Sequence, residues 1–280
     1  MKQAKGDAVR KELLPGQSVA LLKELHLVGR DGALQADSLR KLKQVNHLVQ
    51  LLEPALRETF ERHPDAPVIV DVGAGNAYLG FVLYELFLKD STSILYSVES
   101  RTDLVARSQE RAKKLGFGRM KFVEAQVTAE VTTTALPERI HVLTALHACD
   151  TATDDAIALG IRRNADHIAV VPCCQAEVAA QLKEHPKSAL APWPTLWAHP
   201  IHRREAGAHL TNVVRALVLQ SFGYQVTVTE LTGWEHSLKN ELILARRVHK
   251  EHFGARKELQ ELLEATGIRP KLAVELELLK

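Results

Sequence analysis

The most constraining feature of this 280-residue sequence is a short apolar run that ends at an acidic residue and two glycines. The β-branched residues Val68 to Val70 predict a strand, Asp71 follows it, and Gly73 and Gly75 predict a tight turn. The stretch from Ala77 to Lys89 then predicts a helix. A doubly wound α/β sheet binds its ligand at such a strand–turn–helix junction, so this segment predicts both a fold class and a site.

The rest of the chain continues this alternation of strands and helices. Further strands are predicted at Ile94–Val98, Lys121–Val123, Ile140–Leu146, His167–Val171, Gln225–Glu230 and Glu241–Ala245. Further helices are predicted at 101–115, at Thr151–Arg163, with Thr151 or Thr153 as N-cap, and at Glu205–Phe222. The pattern predicts a mostly parallel, doubly wound sheet whose last two strands form a hairpin with a long connection.

The flanking regions differ from this central part. Leucines and valines recur at three- and four-residue steps from Leu42 to Leu56, which predicts one face of a helix, and Pro64 and Pro67 then mark a boundary. We therefore expect an N-terminal helical region over 1–64, a ligand-binding domain over 65–248 and a charged helical tail over 249–280.

Composition limits the compartment and the partners. The chain is 46% hydrophobic and 25% charged, as in globular proteins, and a net charge of +2 does not by itself indicate nucleic acid. No apolar segment follows the charged N-terminus, and Glu85 interrupts the most apolar helix, so we expect neither a signal peptide nor a membrane span. Three cysteines argue against a disulfide framework and favour the reducing cytoplasm.

The turn distinguishes between two nucleotide classes. A dinucleotide-binding G-x-G-x-x-G loop needs a glycine where this chain has Tyr78, and Asp71 would repel a pyrophosphate. An NAD-dependent oxidoreductase is therefore disfavoured. S-adenosylmethionine carries an ammonium and a sulfonium, which a carboxylate attracts, and Glu99 at the end of the second strand can accept hydrogen bonds from both ribose hydroxyls. The alternative is a tight turn that binds no ligand.

The segment from Asp71 to Gly80 resembles motif I of the class I S-adenosylmethionine-dependent methyltransferases, D-x-G-x-G-x-x-x-x-G, and the resemblance covers roughly residues 67–247. It implies a Rossmann-like, seven-stranded sheet of order 3-2-1-4-5-7-6 with an antiparallel seventh strand. Glu124 or Gln126 would contact the adenine. The predicted cofactor-binding residues are Asp71, Gly73, Gly75, Asn76, Tyr78, Glu99, Ser100, Gln126, Leu146 and His147.

The ends of the fourth and fifth strands resemble a subgroup of that family. Its members include the eukaryotic tRNA acceptor-stem 2′-O-methyltransferases and proteins related to the glutathione S-transferase C-terminal-domain-containing protein. The matching residues are His147, Cys149, Thr153, Asp154, Cys173 and Cys174. Two positions depart from the pattern, because Leu146 replaces a lysine and Asp150 replaces a glycine. The resemblance implies RNA, either tRNA or rRNA, as the substrate.

A hydroxyl or amine acceptor must lose a proton, and His147, Asp150 and Asp154 are the predicted groups to take it or to orient the acceptor. Asp150 comes first because we expect its carboxylate to point toward the cofactor. The alternative is that His147 and Thr153 satisfy backbone groups at a helix start. Two other functions stay open: methylation of a small molecule or a protein, and a non-catalytic methyltransferase-like protein that binds a cofactor or partner.

Cysteines, tryptophans and basic doublets have weaker implications. Cys149, Cys173 and Cys174 with a histidine could bind zinc, but adjacent cysteines rarely chelate one ion, so we expect no metal. A cysteine could also attack a pyrimidine ring. Trp193 and Trp197 could stack on a base, although packing is the commoner use. Basic runs that could follow a phosphate backbone are Arg40-Lys41-Leu42-Lys43, Arg162-Arg163, Arg203-Arg204 and Arg246-Arg247.

Overall fold

The structure, a computed structural model, describes residues 11–29, 36–127, 135–146, 148–172, 175–184, 190–231 and 241–279. Its strands are β1 (Val68–Val72), β2 (Ile94–Glu99), β3 (Met120–Glu124), β4 (Val142–Ala145), β5 (His167–Val170), β6 (Tyr224–Glu230) and β7 (Glu241–Arg247). They form one sheet of order β3-β2-β1-β4-β5-β7-β6. Strands β1 to β5 run parallel, and β7 runs antiparallel to both β5 and β6. The predicted fold class and strand order are confirmed.

Helices cover both faces of this sheet. They are α1 (Val19–Glu24), α2 (Ala36–Arg62), α3 (Tyr78–Leu83), which continues as a π-helical turn at Tyr84–Leu88, α4 (Thr102–Leu115), α5 (Thr151–Arg162), α6 (Glu177–Glu184), α7 (Trp193–Leu196), α8 (Pro200–Ser221), α9 (Phe253–Thr266) and α10 (Lys271–Glu275). Helix α8 begins five residues before its predicted start, because Pro200 occupies the first turn, where no intrahelical N–H bond is lost. Helices α6 and α7 were not predicted.

Alternation along β1 separates the two cores. Val68, Val70 and Val72 contribute to the core that contains α5, α6, α8, α9 and α10. Ile69 contributes to the other core, which contains α1 to α4. Successive side chains of a strand point to opposite faces, so a strand buried on both faces reads as a continuous apolar run.

Helix α2 lies against the sheet through the stripe that the sequence predicts. Leu42, Leu48, Leu52 and Leu56 are almost fully buried and belong to the same core as Ile69. The N-terminal helices therefore share a core with the sheet. Among the described residues, no helix combines the length and the apolar character needed to cross a membrane.

Candidate functional site

A crevice of about 1140 Å³ opens where the carboxyl ends of β1 to β4 meet. The strand order reverses between β1 and β4 at this edge, which is the position where open α/β sheets bind ligands. Nine of the ten residues that the sequence predicts for the cofactor line this crevice: Asp71, Gly73, Gly75, Asn76, Tyr78, Glu99, Ser100, Gln126 and Leu146. The tenth, His147, lies outside the described residues.

The turn after β1 brings its backbone to the crevice. Gly73 and Gly75 have φ angles of +64° and +58°, which residues with a Cβ rarely adopt. The N–H of Gly75 donates to Oε2 of Glu99 at 2.7 Å, which fixes the turn to the end of β2. Among the described residues, a Cβ at position 75 would meet only the Arg101 guanidinium, at 3.8 Å, so they leave the space above the turn open to a ligand.

Asp71 is a buried acidic group on the crevice wall, with 2% of its surface exposed. It pairs in register with Thr144 of β4, whose hydroxyl donates to its Oδ1 at 2.9 Å. Burial raises the pKa of Asp71 to about 7, although the Thr144 hydrogen bond opposes the rise. A carboxylate with so little solvation favours a cationic ligand group, because the positive charge would stabilise the ionised form in place of water.

Glu99 is the opposite case, because several donors surround its carboxylate. Oε1 accepts from the backbone N–H groups of Ser100 at 3.0 Å and Arg101 at 3.1 Å, and from Arg101 Nε at 3.0 Å. Burial alone would raise the pKa of Glu99, but the hydrogen bonds from Arg101 and Gly75 outweigh it and lower the pKa. The side chain therefore stays ionised and can accept further hydrogen bonds.

Asp150 lies at the start of α5, with a positive φ of 49°. Its Oδ1 accepts hydrogen bonds from the backbone N–H groups of Ala176 at 2.9 Å and Glu177 at 3.4 Å, at the start of α6. Oδ1 thus faces a helix, and Asp150 is not among the described residues that line the crevice. The reason for ranking it first as a proton acceptor is not met, and its catalytic role stays a prediction.

The N-cap prediction for α5 was wrong. Asp150, not Thr151 or Thr153, occupies the N-cap position, and it makes no side-chain cap bond to α5. The hydroxyl of Thr153 instead donates to the carbonyl of Ala148. This hydrogen bond ties the first turn of α5 to the residues that precede it.

Asp154 lies in the protein interior with 3% of its surface exposed. Its Oδ1 accepts a hydrogen bond from Nε of Arg215 at 2.7 Å. The same guanidinium also donates to the Asp150 carbonyl at 2.8 Å and to Oδ1 of Asn212 at 3.1 Å. Burial raises the pKa of Asp154, and Arg215 opposes the rise. Asp154 does not line the crevice, and its contacts support the loop after β4, so its catalytic role stays a prediction.

The crevice also contains residues that sequence reasoning did not assign to it. Lys41, Gln44 and Val45 of α2 line one side, and their i, i+3, i+4 spacing indicates a common helix face. Asp155 and Lys271 also line it, with their charged atoms 2.5 Å apart. These two residues are 116 positions apart, so no local pattern links them.

Of the tryptophans and cysteines that the structure describes, only Cys149 lies in this site. Trp197 is buried and Trp193 is partly exposed, with ring centroids 6.3 Å apart, and neither lines the crevice. Cys149 is exposed and does line it. Cys173 and Cys174 lie outside the described residues, so the structure does not test the predicted cysteine cluster.

The basic doublets mostly have partners. Arg246 pairs with Glu58, Arg162 with Glu275 and Arg204 with Glu205. Such surface pairs contribute little to stability and leave little free positive charge. The doublets therefore do not define a continuous basic path.

A group of metal-ligating residue types lies at the opposite end of the strands, where His63, His141 and Asp166 come together. His141 Nδ1 accepts the Val68 N–H at 2.9 Å, so a neutral imidazole keeps its proton on Nε2 and offers a metal no free nitrogen. Arg139 donates to both oxygens of Asp166 at 3.0 and 3.1 Å. The arrangement is that of a polar network that joins the end of α2 to β4 and β5.

The crevice has the features that S-adenosylmethionine needs: a buried carboxylate for its ammonium, an open glycine backbone and an ionised acceptor for its ribose. Together, fold and site define a class I methyltransferase.

A family model described as a methyltransferase domain matches residues 40–181, which is 142 of the 280 residues, and the chain belongs to that family. No protein of curated function is significantly similar in sequence. The protein is thus a methyltransferase whose cofactor is S-adenosylmethionine.

Several solved structures are similar in fold. An rRNA methylase from Streptococcus thermophilus has 14% identity and a TM-score of 0.47, over 72% of this chain and 96% of that one. The S-adenosylhomocysteine-bound methyltransferase PaMTH1 of Podospora anserina has 17% identity and a TM-score of 0.49, over 84% and 90%. The precorrin-6y C5,15-methyltransferase of Geobacter metallireducens has 17% identity and a TM-score of 0.42, over 71% and 88%.

Proposed function

We propose that this methyltransferase modifies RNA, either tRNA or rRNA. The observation that carries the proposal is the cationic side chain of Lys41 on the crevice wall, which has no salt bridge to any described residue. Its neighbours in the basic run are paired, Arg40 with Asp37 and Lys43 with Glu12. A cation that forms no salt bridge within the described part of the chain and lies beside a nucleoside site suits a phosphate of the substrate.

The loop after β4 gives independent support. Its residues resemble those of the tRNA acceptor-stem 2′-O-methyltransferases, and Leu146, Ala148 and Cys149 line the crevice. In this proposal α2 belongs to the N-terminal helical region and covers part of the cofactor site. The cytoplasm remains the expected compartment because the chain has few cysteines.

The chemistry divides between cofactor and chain. When bound, S-adenosylmethionine supplies an electrophilic methyl carbon. Asp71 would hold its ammonium, Glu99 its ribose and Gln126 its adenine edge. The chain must then position the acceptor and receive its proton. Because Asp154 is committed to Arg215 and Oδ1 of Asp150 to α6, we place His147 first as proton acceptor.

The test uses S-adenosylmethionine with a tritiated methyl group and total RNA. We expect label in RNA that ribonuclease releases, and we expect Lys41→Ala to weaken RNA binding and to flatten its salt dependence by about one phosphate contact. Lys43→Ala is the matched control, since Lys43 lies on the same helix but not in the crevice. Label only in protein or small metabolites contradicts the RNA proposal, and bound cofactor without any transfer favours a non-catalytic role.

A further inference from the structure

Four N–H groups already surround the carboxylate of Glu99. Oε2 accepts from Gly75 at 2.7 Å, and Oε1 accepts from the backbone of Ser100 at 3.0 Å and of Arg101 at 3.1 Å and from Arg101 Nε at 3.0 Å. A carboxylate offers about four lone-pair positions. The two ribose hydroxyls of the cofactor also need acceptors, so a donor has to leave before both can bind Glu99.

The Ser100 hydroxyl is a fifth, more distant donor, 3.4 Å from Oε1. Of the four N–H donors, only one can leave without moving the backbone. Three are main-chain N–H groups, fixed by the end of β2 and by the glycine turn. The fourth belongs to the Arg101 side chain, which is 63% exposed and can rotate into solvent. An ion pair this exposed is weak and screened by salt, so ribose hydroxyls can compete with it.

We propose that the Arg101 guanidinium occupies the ribose-binding carboxylate of Glu99 in the free protein. When the cofactor binds, its ribose hydroxyls displace this guanidinium, which then binds an anionic group of the substrate. Arg101 lines the crevice together with Lys41, so the released guanidinium stays beside the substrate that accepts the methyl group. A guanidinium presents a planar fork of donors that matches a phosphate. The binding of a substrate anion by Arg101 rests on the proposed function, because an RNA substrate would bring a phosphate into the crevice.

This arrangement couples the two ligands. The cofactor displaces Arg101 at a small cost in its own affinity, and the displaced charge then raises the affinity for the anionic substrate. Coupling between binding free energies is reciprocal, so the substrate tightens cofactor binding by the same factor. The expected binding order is cofactor first and substrate second.

The first experiment measures S-adenosylhomocysteine binding by calorimetry for the wild type and for Arg101→Ala. We expect the variant to bind about two- to fivefold more tightly, with the largest gain at low salt. Arg107→Ala is the matched control, because Arg107 lies on α4, the helix that Arg101 precedes, is 59% exposed and pairs with Asp103 away from the crevice. Equal or weaker binding by Arg101→Ala overturns the proposal.

The second experiment measures binding of a short oligoribonucleotide and of inorganic phosphate, with and without saturating S-adenosylhomocysteine. We expect the wild type and Arg107→Ala to bind both probes more tightly with the cofactor product, and Arg101→Ala to lose that gain. A gain for phosphate alone supports the Arg101 anion site and contradicts the RNA proposal. No gain for either probe, or an equal gain in Arg101→Ala, overturns the release step.

Discussion

The acidic residues at the carboxyl edge of the sheet form two regions with different surroundings. On the cofactor side, Asp71 and Glu99 line the crevice. On the other side, beyond β4, Asp150 and Asp154 direct carboxylate oxygens to backbone N–H groups and to a buried arginine. The strands place all four at the same edge, but their hydrogen-bond partners differ. The partners therefore decide whether an acidic residue there serves a ligand or the scaffold.

The largest effect should come from the scaffold side. Arg215→Met leaves Asp154 buried without its partner, and we expect the free energy of unfolding to fall by about 3–5 kcal/mol. Urea unfolding followed by circular dichroism measures it. The double variant with Asp154→Leu should recover most of the loss, because both charges are then gone. Unchanged stability of the single variant would mean that the pair does not hold this loop.

On the cofactor side, Glu99→Ala should weaken S-adenosylhomocysteine binding by about 10- to 100-fold, because hydrogen bonds to a charged acceptor are lost. Calorimetry measures it. Glu124→Gln is the control: Glu124 pairs in register with Glu99, but its carboxylate accepts from Thr102 at 2.6 Å outside the crevice. If Glu99→Ala binds S-adenosylhomocysteine with wild-type affinity, Glu99 does not contact the cofactor.

The cofactor side was also the more predictable from sequence. The strand, the glycine turn and Glu99 follow one another over about thirty residues, and the fold determines how consecutive elements meet. The alternation of strands and helices likewise predicted a mostly parallel, doubly wound sheet, whereas the strand order came from the resemblance to the class I methyltransferases. Helices α6 and α7 were missed because prolines dominate the segment around them, although Pro192 and Pro194 lie at or next to the N-terminus of α7, where proline is tolerated.

The scaffold side could not be predicted in the same way. Arg215 is 61 residues from Asp154, and nothing local indicates that they meet in the interior. Asp150 was expected to face the cofactor because it follows β4, yet the start of α6 lies close enough to bind its carboxylate. Lys41 was noted only as part of a basic run, since the packing of α2 against the sheet decides which of its lysines reaches the crevice.

The two carboxylates of the cofactor side should differ in how they make cofactor affinity depend on pH. Burial raises the pKa of Asp71 to about 7, so the group is neutral below that pH and anionic above it. Since the cofactor ammonium favours the anion, we expect affinity for S-adenosylhomocysteine to fall about tenfold from about pH 8 to about pH 6. Glu99, whose pKa is lowered, should add no dependence in that range.

Stability of the cofactor-free protein should show the opposite sign. Because the folded state raises the pKa of Asp71 from 3.8 to about 7, its contribution to stability is present at low pH and lost as the pH rises through 7. Asp71→Asn should therefore stabilise the free protein near pH 8, weaken cofactor binding and remove the pH dependence of affinity. A pH profile that Asp71→Asn leaves intact would assign the titration to another group.

The smallest effect belongs to Asp150, and it tests the boundary between the two regions. Asp150→Ala removes the acceptor for the N–H groups of Ala176 and Glu177, so we expect a loss of about 1 kcal/mol in unfolding free energy. Asp150→Asn keeps an oxygen that accepts those bonds but cannot take a proton. We expect this second variant to keep both stability and most methyl transfer. If it keeps its stability but loses turnover, Asp150 receives the substrate proton after all, and the division between ligand and scaffold carboxylates fails at that residue.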